Sequence, residues 1–214
     1  MSDEHHSTAN NQEHQRLLVA LRESEILREL AELLASSLDL NSILQVLVKR
    51  TTEVCNVGRC AVWLLEDTQQ TFQPITYHLS SPHLNSENIQ AADSIWYRSP
   101  MPTNDPLMQH LLNGKGLLIV EDLQAEPSMR KMAETFLVRS ILLIALIREG
   151  RPVGMMSLDN PGEIRTFSPE LQQLARAIGQ QAAIAIDNAR LYQQAQALAA
   201  QNAQLLLEAR HVAA

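Results

Sequence analysis

The chain has 214 residues, 45% of them hydrophobic and only 4% aromatic, so its core must be built mostly from Leu, Ile, Val, Ala and Met. That length suits one domain with additional helices. A formal net charge of −7 argues against a phosphate backbone as the main partner, so no nucleic acid is expected.

No stretch reaches the ~18 uninterrupted apolar residues of a membrane span, and no signal peptide opens the sequence; a cytoplasmic protein without a membrane partner is expected. Residues 1–14 are polar with no apolar period and read as a disordered tail, with His5, His6 and His14 solvated. From 15 to 37 the pattern is helical: Ile26, Leu27, Leu30, Leu33 and Leu34 follow one broad helical face. Asp39 stands where an N-cap belongs and opens a second helix that points Leu40, Ile43, Leu44, Leu47 and Val54 inward and ends near Gly58.

Residues 59–66, RCAVWLLE, are rich in strand formers, and TFQPITY at 71–77 reads as a partner strand that Pro74 demotes toward an edge. Residues 78–104 hold Pro82, Pro100 and Pro102 and read as a long irregular stretch, a class of loop that is usually functional or mobile. A short helix follows at 105–114, with Asp105 as its cap and Gly114 past its end, and then a buried strand, LLIV, at 117–120. The stretch EDLQAEPSMRKMAETF carries a turn and a short helix; SILLIALIRE and RPVGMMSLD form a hairpin about Gly150. Ser168, Pro169 and Glu170 make a helix start of cap, first-position proline and first-turn acid. The order defines an α+β sheet domain clamped by long terminal helices.

On a wheel of about 100° per residue, Leu171, Leu174, Ala175, Ile178, Ala182, Ala185, Ile186 and Ala189 of the last helix share one side, which should pack on the sheet. Ile184, Leu191, Leu198 and Leu205 recur every seven residues on the other side, the repeat of a supercoiled seam. A helix from 168 to about 208 is roughly 60 Å long at 1.5 Å per residue. One small domain does not cover that length. The seam is therefore expected to close on a second copy of the chain, together with the 15–37 helix.

The segments GRCAVWLLED, LLIVEDL, VRSILLIALIREGRPVGMMSLDNPGEIRTFSPEL and AIGQQAAIAIDNARLY resemble GAF domains of bacterial sensor histidine kinases and related signalling proteins, over about residues 25–193. The resemblance implies an antiparallel five- or six-stranded sheet with helices on one face and a ligand pocket on the other. It also implies parallel dimerisation through the terminal helices. The organisation expected is a signalling helix at 15–37, a GAF domain at 38–190 and a coiled-coil extension at 191–214. Ala145 stands where many relatives have proline. The Asn-Lys pair of cyclic-nucleotide-binding relatives is replaced by Asn160-Pro161, with Phe167 followed by Ser168, so cyclic nucleotides gain little support. Cys55 and Cys60 are followed by Asn56 and Ala61, not by the His that usually follows a bilin-bearing cysteine.

The candidate chemistry is sparse. Some GAF proteins reduce free methionine sulfoxide with cysteines in loops over the pocket, which makes a thiol-dependent reductase using Cys60 with Cys55 the alternative function. Both positions also suit two small buried hydrophobes, Cys55 at a helix end and Cys60 at a strand start. His78, His83 and His110 lie in or near the long loop and are the candidates for haem ligation in a gas or redox sensor. Trp96, Tyr97, Arg98, Arg130 and Arg139 are the candidate ligand-binding residues, because aromatic and Arg side chains on irregular links suit a small planar or anionic ligand. No phosphate loop, catalytic triad or metal-ligand spacing appears, and His211 reads as a solvated helix end. The sequence thus reads as a non-catalytic sensory module, a homodimer whose terminal helices carry a ligand's signal to a histidine kinase or cyclase.

Overall fold

A computed structural model describes residues 20–66, 68–80, 100–127, 129–130, 133–134 and 137–212. Helix α1 occupies 20–35. Helix α2, Leu40–Val54, begins where Asp39 accepts the Ser42 amide at 2.9 Å and its hydroxyl at 2.6 Å, two bonds that hold the Asp39 carboxyl below the ordinary carboxylate range. Strands β1 (Arg59–Glu66), β2 (Thr71–Leu79) and β3 (Met101–Pro102) follow, then helix α3 (Pro106–Asn113) and strand β4 (Leu117–Val120). Strands β5 (Val138–Arg148) and β6 (Arg151–Pro161) form a hairpin before helix α4, Pro169–Val212. The hairpin turns through Glu149 and Gly150, both at positive φ (50° and 79°), as a two-residue type I′ turn requires.

The six strands form one antiparallel sheet in the order β3-β2-β1-β6-β5-β4. Side chains alternate between its faces. Cys60, Val62 and Leu64 point to one side, where α1, α2 and α4 supply Leu30, Leu34, Leu47, Ile178 and Ile186. Ala61, Trp63 and Leu65 point to the other, where α3 supplies Leu107, Met108 and Leu111. The apolar run of β1 is thus explained: it is a central strand, buried on both faces.

Three readings of the sequence need correction. The irregular stretch contains a strand, β3, too short to leave a period-two signal. Strand β2 runs on to Leu79; Pro74 faces Trp63 at a break in register, and the outer neighbour pairs only with Thr71 and Phe72, so Pro74 disrupts no outer ladder. Gly114 stands past the end of α3, as read; its φ of −76° and ψ of −165° are extended, and glycine fits there because a Cβ would lie 2.9 Å from the His110 carbonyl. The helices are not confined to one face, since α3 covers the other.

Candidate functional site

The face carrying α3 holds a cleft of about 550 Å³ between α3, β4 and the loop that follows β4. Its volume falls in the range typical of small-molecule sites. Leu107, Leu118, Val120 and Met129 give it apolar walls, and its charged lining residues are Glu121, Asp122 and Glu126, with His110 at the rim. The loop is folded by Asp122, whose carboxylate accepts the Gln124 amide at 3.1 Å and whose carbonyl accepts the Ala125 amide at 3.2 Å.

Arg139 and Arg130, two of the residues proposed from sequence for ligand binding, act on this loop and do not line the cleft. Arg139 makes a two-pronged pair with Asp122, Nε to Oδ1 at 3.2 Å and Nη2 to Oδ2 at 3.0 Å. Those bonds hold the Asp122 carboxyl below its usual range and raise Arg139 in turn. Arg130 donates from Nε to the Gln124 carbonyl at 3.3 Å. Trp96, Tyr97, Arg98 and His83 lie outside the described residues.

Sequence reasoning missed a buried polar group on the same face. Arg59 and Asp159 are cross-strand partners of β1 and β6. They form an ion pair at 2.9 Å with side chains 6% and 1% exposed. Burial raises the Asp159 carboxyl more than the Arg59 guanidinium lowers it. Ser157, two residues earlier on the same face, is buried as well. The pair joins two residues 100 apart, beyond the reach of any local pattern.

Next to it, the end of β6 and the stretch that follows form a structural clamp. The Asn160 Oδ1 accepts the Gly58 amide at 2.8 Å. Arg165 donates from Nη2 to the Cys55 carbonyl at 3.2 Å and from Nη1 to the Asn56 carbonyl, and its amide donates to Ser140 Oγ at 2.7 Å. These bonds satisfy carbonyls at the C-terminal end of α2, where helices run out of internal donors. Asn160, the residue that invites comparison with cyclic-nucleotide sites, is therefore spent on holding β1 to β6.

Both cysteines are free and buried in the core on the helix side of the sheet, away from the cleft. Burial pushes the Cys55 thiol up to about 12 and the Cys60 thiol well above its ordinary value. A nucleophilic thiolate is disfavoured at either position. His78, the cross-strand partner of Cys60, shares that helix-side face, whereas His110 stands at the cleft rim. These two candidate haem ligands are on opposite sides of the sheet. Among the described residues no group of three His, Cys, Asp or Glu is placed to hold a metal ion, and no helix is long and apolar enough to cross a membrane.

Helix α4 buries Ala175, Ile178, Ala182, Ala183, Ile186 and Ala189 completely. It then continues with Leu191, Leu198 and Leu205 at 57%, 58% and 55% exposure, on the stripe that starts with Ile184 at 38%. Between α1 and α4 lies a groove of about 280 Å³ lined in part by Leu34, Leu38, Ile184 and Ala185. On α1, Leu30 and Leu34 enter the core while Leu21 and Leu33 stay exposed.

The GAF domain family profile matches residues 39–186, and the chain belongs to that family. The circadian input-output histidine kinase CikA of Thermosynechococcus vestitus is 24% identical over 179 residues, covering 81% of this chain and 24% of the kinase. The chain thus spans about a quarter of that relative's length. Among solved structures, the GAF domain of a phosphoenolpyruvate-protein phosphotransferase from Coxiella burnetii superposes with a TM-score of 0.64 at 17% identity, covering 82% of this chain and 98% of the other. A free methionine-R-sulfoxide reductase from Neisseria meningitidis, solved with its substrate, gives 0.62 at 16% identity, covering 81% and 93%. At these identities the structural likeness establishes the fold alone.

Proposed function

We propose that this chain is a cytoplasmic sensory module that binds a small ligand on the α3 face of its sheet and passes the signal through terminal helices paired in a homodimer. The observation that carries the reading is α4. Its first half is bound to the sheet, and its second half leaves the domain with exposed leucines at heptad spacing. Isolated helices are marginal without tertiary packing, so that stripe calls for a second helix. The groove beside Ile184 continues the stripe toward α1, as a four-helix bundle requires.

A ligand in such a module acts by binding one helix packing more tightly than the other. Trp96, Tyr97 and Arg98, with Arg130 and Arg139 bracing the loop, remain the ligand-binding residues we propose. The histidine kinase relative supports an output of the kinase or cyclase type. The burial of Cys55 and Cys60 favours this regulatory reading over thiol reductase chemistry.

Burying Leu191, Leu198 and Leu205 of each chain would contribute roughly 1.5–3 kcal/mol per side chain, against association and ordering costs of several to more than ten kcal/mol. The dimer should therefore be favourable without being extreme. Sedimentation at tens of micromolar is expected to show a dimer for the natural sequence and a folded monomer for Leu191→Glu with Leu198→Glu. A natural sequence that sediments as a monomer would remove the proposed route of transmission. Mass spectrometry of small molecules released from the purified protein tests the ligand, and alanine at Trp96 and Arg98 should abolish binding of whatever is found.

A further inference from the structure

Strand β4 ends the sheet, and among the described residues it pairs with β5 alone. The Ala145 amide donates to the Gly116 carbonyl at 2.9 Å, which marks these two as a hydrogen-bonded pair. Such pairs alternate along an antiparallel ladder. Leu118 and Val120 therefore also spend their main-chain groups on β5, and those of Lys115, Leu117 and Ile119 face outward. The outward carbonyl of Lys115 is taken by Arg176 of α4. The outward groups of Leu117 and Ile119 have no hydrogen-bond partner among the described residues.

Exposed edges normally carry a device that blocks further pairing. At the opposite edge, β3 is two residues long and ends in Pro102. Strand β4 has neither proline nor a break in register, and its Leu-Leu-Ile-Val sequence is half-buried throughout. The 550 Å³ cleft runs beside it. Of the acids lining the cleft, Asp122 is committed to Arg139. Glu121 and Glu126 are exposed and enter no ion pair among the described residues. No Lys or Arg is among the lining residues.

We infer that the outer edge of β4 accepts an added strand from a basic, extended segment of another protein. Main-chain bonds to Leu117 and Ile119 would supply the pairing, the cleft would receive apolar side chains from one face of the strand, and Glu121 and Glu126 would select cationic ones. This is strand addition, in which backbone bonds give affinity and alternate side chains give specificity.

A fluorescein-labelled hexapeptide of alternating Val and Lys with blocked ends, followed by anisotropy, tests the inference. Saturable binding is expected to weaken as salt is raised, and the peptide with Glu in place of Lys should not bind. Ile119→Pro removes an outward amide without touching a bond to β5, and should weaken binding several-fold, up to about tenfold, the scale of one hydrogen bond. Glu121→Gln with Glu126→Gln should weaken it several-fold at low salt and little at high salt. If Ile119→Pro does not fold, a Val-Lys peptide N-methylated at alternate residues replaces it and should not bind. Absence of binding, equal binding of the acidic peptide, or affinity unchanged by both protein variants would overturn the inference. So would a homodimer that Ile119→Pro dissociates, because the edge would then belong to a second copy of this chain.

Discussion

Arg190 of α4 donates from Nη2 to the main-chain carbonyl of Leu65 in β1 at 3.0 Å, across 125 residues of sequence. One turn earlier, Asp187 forms an ion pair at 3.5 Å with Arg148, the last residue of β5. The helix is thus tied to two strands immediately before Leu191, where its apolar stripe becomes exposed. A shift of β1 or β5 and a rotation of α4 are therefore coupled through specific bonds, not only through nondirectional packing.

Arg190→Leu should uncouple them. The lost bond is to a charged donor, a class of roughly 1.5–3 kcal/mol, and partial solvent exposure places the cost near the lower end. Amide hydrogen exchange should rise at 187–195 while β5 and β6 keep their protection. Unchanged exchange along α4 would show that apolar packing alone fixes the helix.

The thiols give a separate test of function. With Cys55 pushed up to about 12 and Cys60 well above its ordinary value by burial, neither should react with iodoacetamide at pH 8 in the folded protein. Both should react once the chain is unfolded in urea. Rapid native labelling of Cys60, or methionine sulfoxide turnover lost in Cys60→Ser, would make the reductase reading the better one.

The cleft loop should respond to acid. Asp122 has a folded-state pKa below its unfolded value because Arg139 hydrogen-bonds its carboxylate. Such a group binds fewer protons in the folded state, so its contribution is complete above the ordinary carboxylate range and is lost as pH falls through the depressed value. The protection of the amides at 122–126, taken relative to their intrinsic exchange rates, should fall below about pH 4. In Arg139→Gln the same loop should already exchange fast at neutral pH, with a flatter acid response. A loop equally protected at pH 7 in both proteins would show that the pair does not hold it.

Most of the architecture was legible because its signals are local. Asp39, Asp105 and Ser168 each stand at a helix start and accept the amide two or three residues on, a pattern written in adjacent residues. The turn at Glu149 and Gly150 separates two strands at the shortest spacing a hairpin allows. The candidate site was less legible because its pairs are remote. Arg139 looks like a ligand-facing cation until Asp122, 17 residues away, is seen to occupy it. Arg59 and Asp159 are joined only by sheet register. The reach of Arg165 back to the end of α2 depends on the chain's path after β6, which no periodicity encodes.

Helix α4 packs closely on β5 at Gly179, where a Cβ would lie 2.8 Å from Ile144 Cγ2 and 3.5 Å from Leu146 Cδ2. Both neighbours are buried side chains of β5, so neither can turn toward solvent. Glycine is otherwise a poor choice in a helix interior, and alanine there gains up to about 1 kcal/mol in propensity. Overpacking a filled core costs typically 1–3 kcal/mol. The contact should prevail, making Gly179→Ala destabilising by up to about 2 kcal/mol in urea unfolding. Gly179→Ala made in an Ile144→Ala background, where the crowded Cγ2 is absent, should recover part of that loss relative to Ile144→Ala alone. That recovery would place the cost at the helix–sheet contact, because a helix-propensity effect is indifferent to residue 144. A Gly179→Ala protein more stable than the natural one would mean that α4 can ride further from β5 at no cost, and that the sheet does not set the helix position.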